Sequence, residues 1–282
     1  MSGLGLIVTE IEKEHQELIN SFKAPPVAFK LKDRSSLPSS ADSAFQVYDQ
    51  GGTSSCAGNA LAGLFTEQQN IQTGELIRYS AWFAYITAQK EGGFLGSDGG
   101  TSISSTIQAG TKYGCCLESL CRLPSRYTTS LSQQAYDDAA QHKHLGEGLV
   151  DLRAWEDMID WITDARGLEI GTKWYSSQDS MNSGSWIETK ARASGGAFRG
   201  YHARQLFYWE TVDGEICPKC RNSHGSRWAK NGRSVITREL WDWWKKDANF
   251  CAYGFCNINE RIPQRRDLSQ FSFVLGDRPS IG

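Results

Sequence analysis

The side chains here best suited to covalent or metal chemistry are eight cysteines and five histidines, and one cysteine stands apart by its setting. Cys56 lies where the Gly/Ser-rich stretch 51–55 gives way to Ala57, Ala60, Leu61, Leu64 and Phe65. That is the i, i+3, i+4, i+7, i+8 spacing of a helix with one buried face. Ser54 and Ser55 are N-cap candidates just upstream. Cys56 is therefore predicted in the first helical turn. The positive end of the helix dipole there favours a thiolate over a thiol, which makes a nucleophile near neutral pH. The placement also suits an inert buried cysteine, since free thiols are commonly buried. This stretch alone leaves both readings open.

The elements that would position this thiol can be read in order. After the nucleophile helix, a second helix is predicted from Ser80 to Gln89. A third follows a glycine-rich segment, capped by Thr101 or Ser102 and running to Tyr113. One more helix is expected around 134–144, and an amphipathic helix is marked by Trp155, Met158, Ile159 and Ile162. LEIGTKWY (168–175) reads as a buried strand and 176–200 as loop. From Tyr201 the chain turns β in character, with DG and NG turns between apolar runs. A short helix at 238–247 and a strand, CAYGFCNI, close the pattern. Ahead of all this, Glu10–Phe22 is expected as a short polar helix and 23–40 as irregular.

Length and charge bound the rest. At 282 residues the chain fits one large domain or two packed lobes. A net charge of −2 and a pI near 6.2 give no reason to expect nucleic acid or an anionic membrane as partner. No run has the length of a membrane span, and the N-terminus lacks the basic and apolar regions of a secretory signal, so a cytoplasmic or virion-associated location is expected.

Gln50 precedes Cys56 by six residues across small residues, in VYDQGGTSSC, and TGELIRYS (73–80) follows. This arrangement resembles the papain-like cysteine peptidases, and most closely their bacterial and viral branch. The likeness extends through YGCCLESLCRLP (113–124), GYHARQLFY (200–208) and NSHGSRWAKNG (222–232). The last is similar to the family's NSWG-x-x-W-x-x-NG signature, with His224 in place of a tryptophan that shields the site from water. The resemblance covers roughly 27–260 and is absent at both ends.

The resemblance implies an α+β fold of two lobes, a helical lobe and an antiparallel β-barrel-like lobe, with the active-site cleft between them. The expected division is an N-terminal extension (1–43), the helical lobe (44–150), the β-rich lobe (151–262) and a tail (263–282). It implies Cys56 as nucleophile, His202 as base and Asn222 as orienter of the imidazole. Gln50 joins the Cys56 N–H in an oxyanion hole, where one donor is worth ~3 kcal/mol of barrier. Pairing with His202 would depress the thiol pKa to ~3.5–7.5. Gly99 and Gly100 resemble a double glycine whose backbone pairs with an extended peptide, because a β-carbon would obstruct that approach. Thr53 and Ser97 stand where extracellular relatives carry a disulfide, as expected of a protein in a reducing compartment. No inhibitory pro-segment beyond a vestige is expected. His15, His142 and His144, in polar surroundings, are read as solvated, and Trp228 as structural.

Cys217-Pro-Lys-Cys220 has the spacing of a zinc hook, and Cys251 with Cys256 offers two more thiolates. Residues three apart on a strand face opposite sides, which suits chelation poorly. Buried thiols with no metal and no cofactor are therefore the expectation. The predicted function is hydrolysis of peptide bonds in a peptide or protein substrate through a thioester. Two rivals are carried forward: a virion-associated or other structural protein on the same fold, assembled into a larger particle, and a cell-wall amidase or transferase using the same Cys–His pair.

Overall fold

The computed structural model describes residues 4–8, 45–73, 75–144, 150–163, 167–254 and 258–259. The apolar run after Cys56 forms helix α1 (Cys56–Thr73), buried on every side from Cys56 through Gln69. Periodicity predicted one buried face. The polar faces are buried too, with several of their side chains meeting partners inside the protein. Thr66 Oγ1 pairs with the Tyr48 hydroxyl at 3.1 Å, Gln69 Oε1 accepts from Tyr79 at 2.9 Å, and Glu67 meets Arg221.

Helix α2 (Ala81–Gly92) begins at Ser80, whose hydroxyl accepts from the Phe83 N–H, and ends at a left-handed Gly93. It packs closely on α1 at Gly58, where an added β-carbon would lie 2.6 Å from Tyr85 Cβ. Helix α3 (Ile103–Lys112) is capped by Ser102. Helix α4 (Gln133–Ala139) stops short of the predicted 144, because Lys143–His144 turn into strand β1. His144 is buried with its ring 4.0 Å from that of Phe65, and His142 is half-buried with Nδ1 3.1 Å from the Tyr79 hydroxyl. These two histidines are thus packing residues and not solvated ones, since the polar segment carrying them folds back onto α1. His15 and the expected 10–22 helix lie outside the described residues.

Strand β2 (Val150–Asp151), helix α5 (Trp155–Thr163) and strand β3 (Leu168–Tyr175) follow. The predicted loop contains helix α6 (Ser176–Asp179), strand β4 (Ile187–Glu188) and helix α7 (Lys190–Ala193), pieces too short to leave a period. Strands β5 (Phe198–Val212), β6 (Glu215–Arg221) and β7 (Arg233–Ile236) precede helix α8 (Arg238–Trp244), β8 (Cys251–Gly254) and β9 (Ile258–Asn259). The seven-stranded sheet runs β2-β8-β3-β5-β6-β7-β4, antiparallel except for the β4–β7 pair. Short β1 pairs with β9.

Two cores result. One lies between α1 and the sheet, with Leu61, Leu64 and Phe65 meeting Ile103, Ala203 and Cys251. The other lies beneath α5 and α8, around Met158, Ile162, Leu206 and Trp241. This is an α+β fold of two lobes, one helical and one built on the sheet. No described helix is long and apolar enough to cross a membrane.

Candidate active site

Cys56 is the first residue of α1 and is fully buried. Ser55 precedes it and contributes the first helical carbonyl, accepting from Asn59 N–H at 2.9 Å. The Ser55 hydroxyl is engaged by Asn59 Nδ2 at 2.9 Å and by Thr53 Oγ1 at 2.7 Å. Burial pushes the Cys56 thiol up to about 11, against the backbone amides of Ala203, Gly5 and Ala57, which favour the thiolate. Only Ala57, the smallest of the three, belongs to the helix start, so the helix-terminus effect expected from sequence has the right sign but is minor, and desolvation outweighs it.

His202 sits on β5 opposite Thr172 of β3, fully buried, with its Nε2 2.7 Å from Asn222 Oδ1. The same Oδ1 accepts the Ser223 backbone N–H at 2.8 Å, which identifies it as the carbonyl end of the amide. Nε2 must therefore donate, and Nδ1 carries the lone pair. That nitrogen is buried and makes no hydrogen bond with any described residue. Burial, followed by His224 and Arg204, holds the imidazole well below its usual range, while the Asn222 bond works the other way. Thiol and imidazole are both neutral in this state.

His224 occupies the position of the expected shielding tryptophan. Its Nδ1 lies 3.2 Å from Asn222 Nδ2 and its ring 4.9 Å from that of His202. Burial lowers it to about 4, with Arg204 adding to the shift and Asp179 and Asp49 opposing it. The apolar cover comes from another strand. Trp174 of β3, fully buried, lies 4.6 Å from the His202 ring and 5.4 Å from that of His224. Trp228 packs on Trp174 and donates its Nε1–H to the Gln178 carbonyl at 2.7 Å.

Gln50 is brought in by backbone pairing of the two signature segments. Its N–H donates to the Ser223 carbonyl at 2.8 Å, and Asp49 forms a bridge with His224. The Ser223 hydroxyl donates to Gln50 Oε1, so the amide presents Nε2 at its other end, where it donates to the Thr53 carbonyl at 2.7 Å. The seven described cysteines are free. In place of a disulfide between the Thr53 and Ser97 loops, Asp98 joins them: its Oδ1 accepts from Ser54 N–H at 3.0 Å and from Tyr85 hydroxyl at 2.8 Å.

The cleft is occupied by the chain itself. Thr101 N–H donates to the Gly5 carbonyl at 2.8 Å, and Ile7 N–H donates to the Thr101 carbonyl at 2.9 Å. Leu6 also bridges to Tyr201 on the sheet side. Its side chain is buried in the cluster that holds Cys56, Ile103, Ala203 and Cys251, while Leu4 packs with Trp174, Met181 and Trp228. A β-carbon on Gly100 would lie 2.0 Å from the Gly5 carbonyl oxygen. Gly100 gives its own N–H to the Tyr85 hydroxyl and its carbonyl accepts from Gln89, so the backbone offered to residues 4–8 is that of Thr101. Residues 4–8 thus lie over the thiol. Thr101, Leu6, Trp174 and Asp98 left no motif in the sequence. The glycine pair was the one signal of a close backbone approach beside them.

Cys116 and Cys121 are hydrogen-bonded to each other, whereas the described cysteines of the candidate zinc set are dispersed. Cys220 lies in the core beneath α5 and α8, and Cys251 in the core that contains Cys56. Cys217 and Cys220 are both buried, and Cys256 lies outside the described residues. Among the described residues no three His, Cys, Asp or Glu side chains gather as a metal site.

No protein-family model matches the sequence, and no curated protein matches it. Solved structures do. Xylellain, a cysteine protease from Xylella fastidiosa, superposes with a TM-score of 0.69 at 20% identity, over 91% of this chain and 96% of that one. Procathepsin L 3 of the Tenebrio molitor larval midgut gives 0.64 at 16% identity over 86% and 78%. Procathepsin B S9 from Trypanosoma congolense gives 0.63 at 16% over 90% and 86%. At these identities the likeness is one of fold, and the fold of this chain is the papain-like one.

Proposed function

We propose that the chain is a cysteine peptidase held closed by residues 4–8. The observation that carries this reading is the His202–Asn222 bond, which leaves the buried Nδ1 as a base with no partner among the described residues, on the residue next to Ala203, whose backbone amide reaches the Cys56 thiol at the helix start. In the reaction, Cys56 Sγ attacks the scissile carbonyl as its proton passes to His202 Nδ1. The oxyanion is received by Gln50 Nε2 and the Cys56 N–H. Collapse breaks the C–N bond, and the amine leaves with the proton from Nδ1. Water, deprotonated by the same nitrogen, then hydrolyses the thioester.

The substrate edge in this reading is the one now taken by residues 4–8, where Leu6 bridges to Thr101. Removing it admits water to the sulfur, and the desolvation that raises the thiol falls with it. Two of the structural neighbours are themselves pro-forms by name.

The test compares the full chain with a Leu6→Glu variant, whose charge cannot remain in the apolar seat. Both are incubated with an epoxide inhibitor or iodoacetamide, mapped by mass spectrometry, and assayed on casein. Half-buried Cys121, whose thiol is lowered to about 7 by its bond with Cys116, should react in both; Cys56 should be labelled much faster in the variant than in the full chain, and casein should be cut by the variant. If Cys56 stays unlabelled and casein uncut in folded Leu6→Glu, the peptidase reading fails and a structural role on the same fold takes its place.

A further inference from the structure

The Asn222 amide has two ends, and both are held. Its oxygen accepts from Ser223 N–H and from His202 Nε2, and its nitrogen lies 3.2 Å from His224 Nδ1. An amide nitrogen donates only, so His224 Nδ1 must be an unprotonated acceptor. We infer that His224 is a positioning residue that acts through Asn222: its bare Nδ1 locks the amide orientation that keeps the proton of His202 on Nε2. A tryptophan at this position offers a donor and no acceptor, so it has no means of doing this.

The consequence follows from donor and acceptor counting. If Nδ1 of His224 gains a proton, two donors face each other at the Asn222 nitrogen. Turning the amide over relieves that contact, and the nitrogen then meets His202 Nε2. His202 must in turn move its proton to Nδ1, the nitrogen that the proposed base chemistry needs bare. The Ser223 N–H resists the rotation, so His224 is the second of two locks. The surroundings suit a neutral ring. Burial disfavours its charge, and Arg204 of β5 and the fully buried His202 lie near it. Asp49 and Asp179 are the facing carboxylates. Asp179 is already engaged by Arg199 Nη1 at 3.0 Å and by Trp174 Nε1 at 2.7 Å. Trp174 packs on both imidazoles, limiting water at the relay.

The bearing on catalysis rests on the peptidase reading, whereas the tautomer itself does not, so the decisive measurement needs no turnover. Long-range proton–nitrogen spectra of the labelled full chain at pH 7 should show His202 protonated on Nε2 and His224 bare on Nδ1. In His224→Leu the Nε2–H to Nδ1–H ratio of His202 should fall about fivefold, the worth of one neutral hydrogen bond. His224→Asn, which keeps an acceptor at similar reach, should restore it. An unchanged His202 tautomer in folded His224→Leu overturns the inference. If that variant does not fold, titration of the parent chain from pH 7 to 4 decides. The His202 tautomer must shift as His224 takes its proton, and a His202 signature that stays constant through that step overturns the inference equally.

Discussion

The two lobes hold their halves of the site by different means. Cys56 is placed by backbone: it opens a helix buried on every side, and the amides of Ala57 and Ala203 lie at its sulfur. His202 is placed by side chains, through Asn222, His224 and the cover of Trp174. Beneath them Arg204 pairs with Glu188 at 2.6 Å, both fully buried, with Ser234 and Gln178 also bonded to the carboxylate. A backbone-held group is vulnerable to atoms added where the packing is tight. A group held by side chains is vulnerable to atoms taken away.

The largest effect should come from deletion on the sheet side. Glu188→Ala leaves the Arg204 charge buried and unpaired, which costs about 3–5 kcal/mol of stability. Urea unfolding measures it, and a loss below about 1 kcal/mol would mean that water reaches the guanidinium. On the helical side the corresponding insult is an addition. Gly58→Ala drives a methyl to within 2.6 Å of Tyr85 Cβ and should cost ~1–3 kcal/mol. If it is neutral, the α1–α2 contact is softer than this comparison requires.

Reactivity sharpens the contrast. In the Leu6→Glu background, Asn222→Ala should slow alkylation of Cys56 at pH 7 by roughly tenfold, on the scale of one oriented hydrogen bond. Ser55→Ala, next to the thiol on the backbone-held side, should change it by less than about threefold, since its hydroxyl is spent on Asn59 and Thr53. Equal losses would erase the distinction.

The pH dependence of stability separates the lobes by sign. His224 is lowered from 6.5 to about 4, so between those values the unfolded chain binds a proton that the folded chain does not. Stability then rises with pH across that window and is lost as pH falls through it. Cys56 is raised from 9.0 to about 11, so the folded chain keeps a proton that the unfolded chain has released, and stability falls as pH rises from 9 to 11. Melting temperatures against pH should show the acid limb flattened in His224→Asn and the alkaline limb reduced in Cys56→Ala.

The sequence made the helix at Cys56 legible because its apolar spacing is local, and the strands from Tyr201 legible because they alternate. It did not disclose that α1 is buried on all sides, since the partners of Thr66, Glu67 and Gln69 are Tyr48, Arg221 and Tyr79, distant along the chain. The same limit hid Leu4–Val8, five residues without a period whose partner is Thr101. The neutral thiol was out of reach for a related reason: dipole and cap are local, whereas desolvation belongs to the closed molecule. His224 was read as a lost shield because substitution at one position says nothing of a tryptophan arriving from β3.

Leu4–Val8 is part of the molecule whose cleft it fills, and it faces Thr101 as a tethered ligand. A ligand that is part of the same chain acts at an effective concentration that, for short flexible connections, is on the order of millimolar. A free peptide of equal intrinsic affinity, supplied at micromolar levels, would therefore be outcompeted by about a thousandfold. Dilution, which releases an inhibitor bound from solution, leaves this one in place.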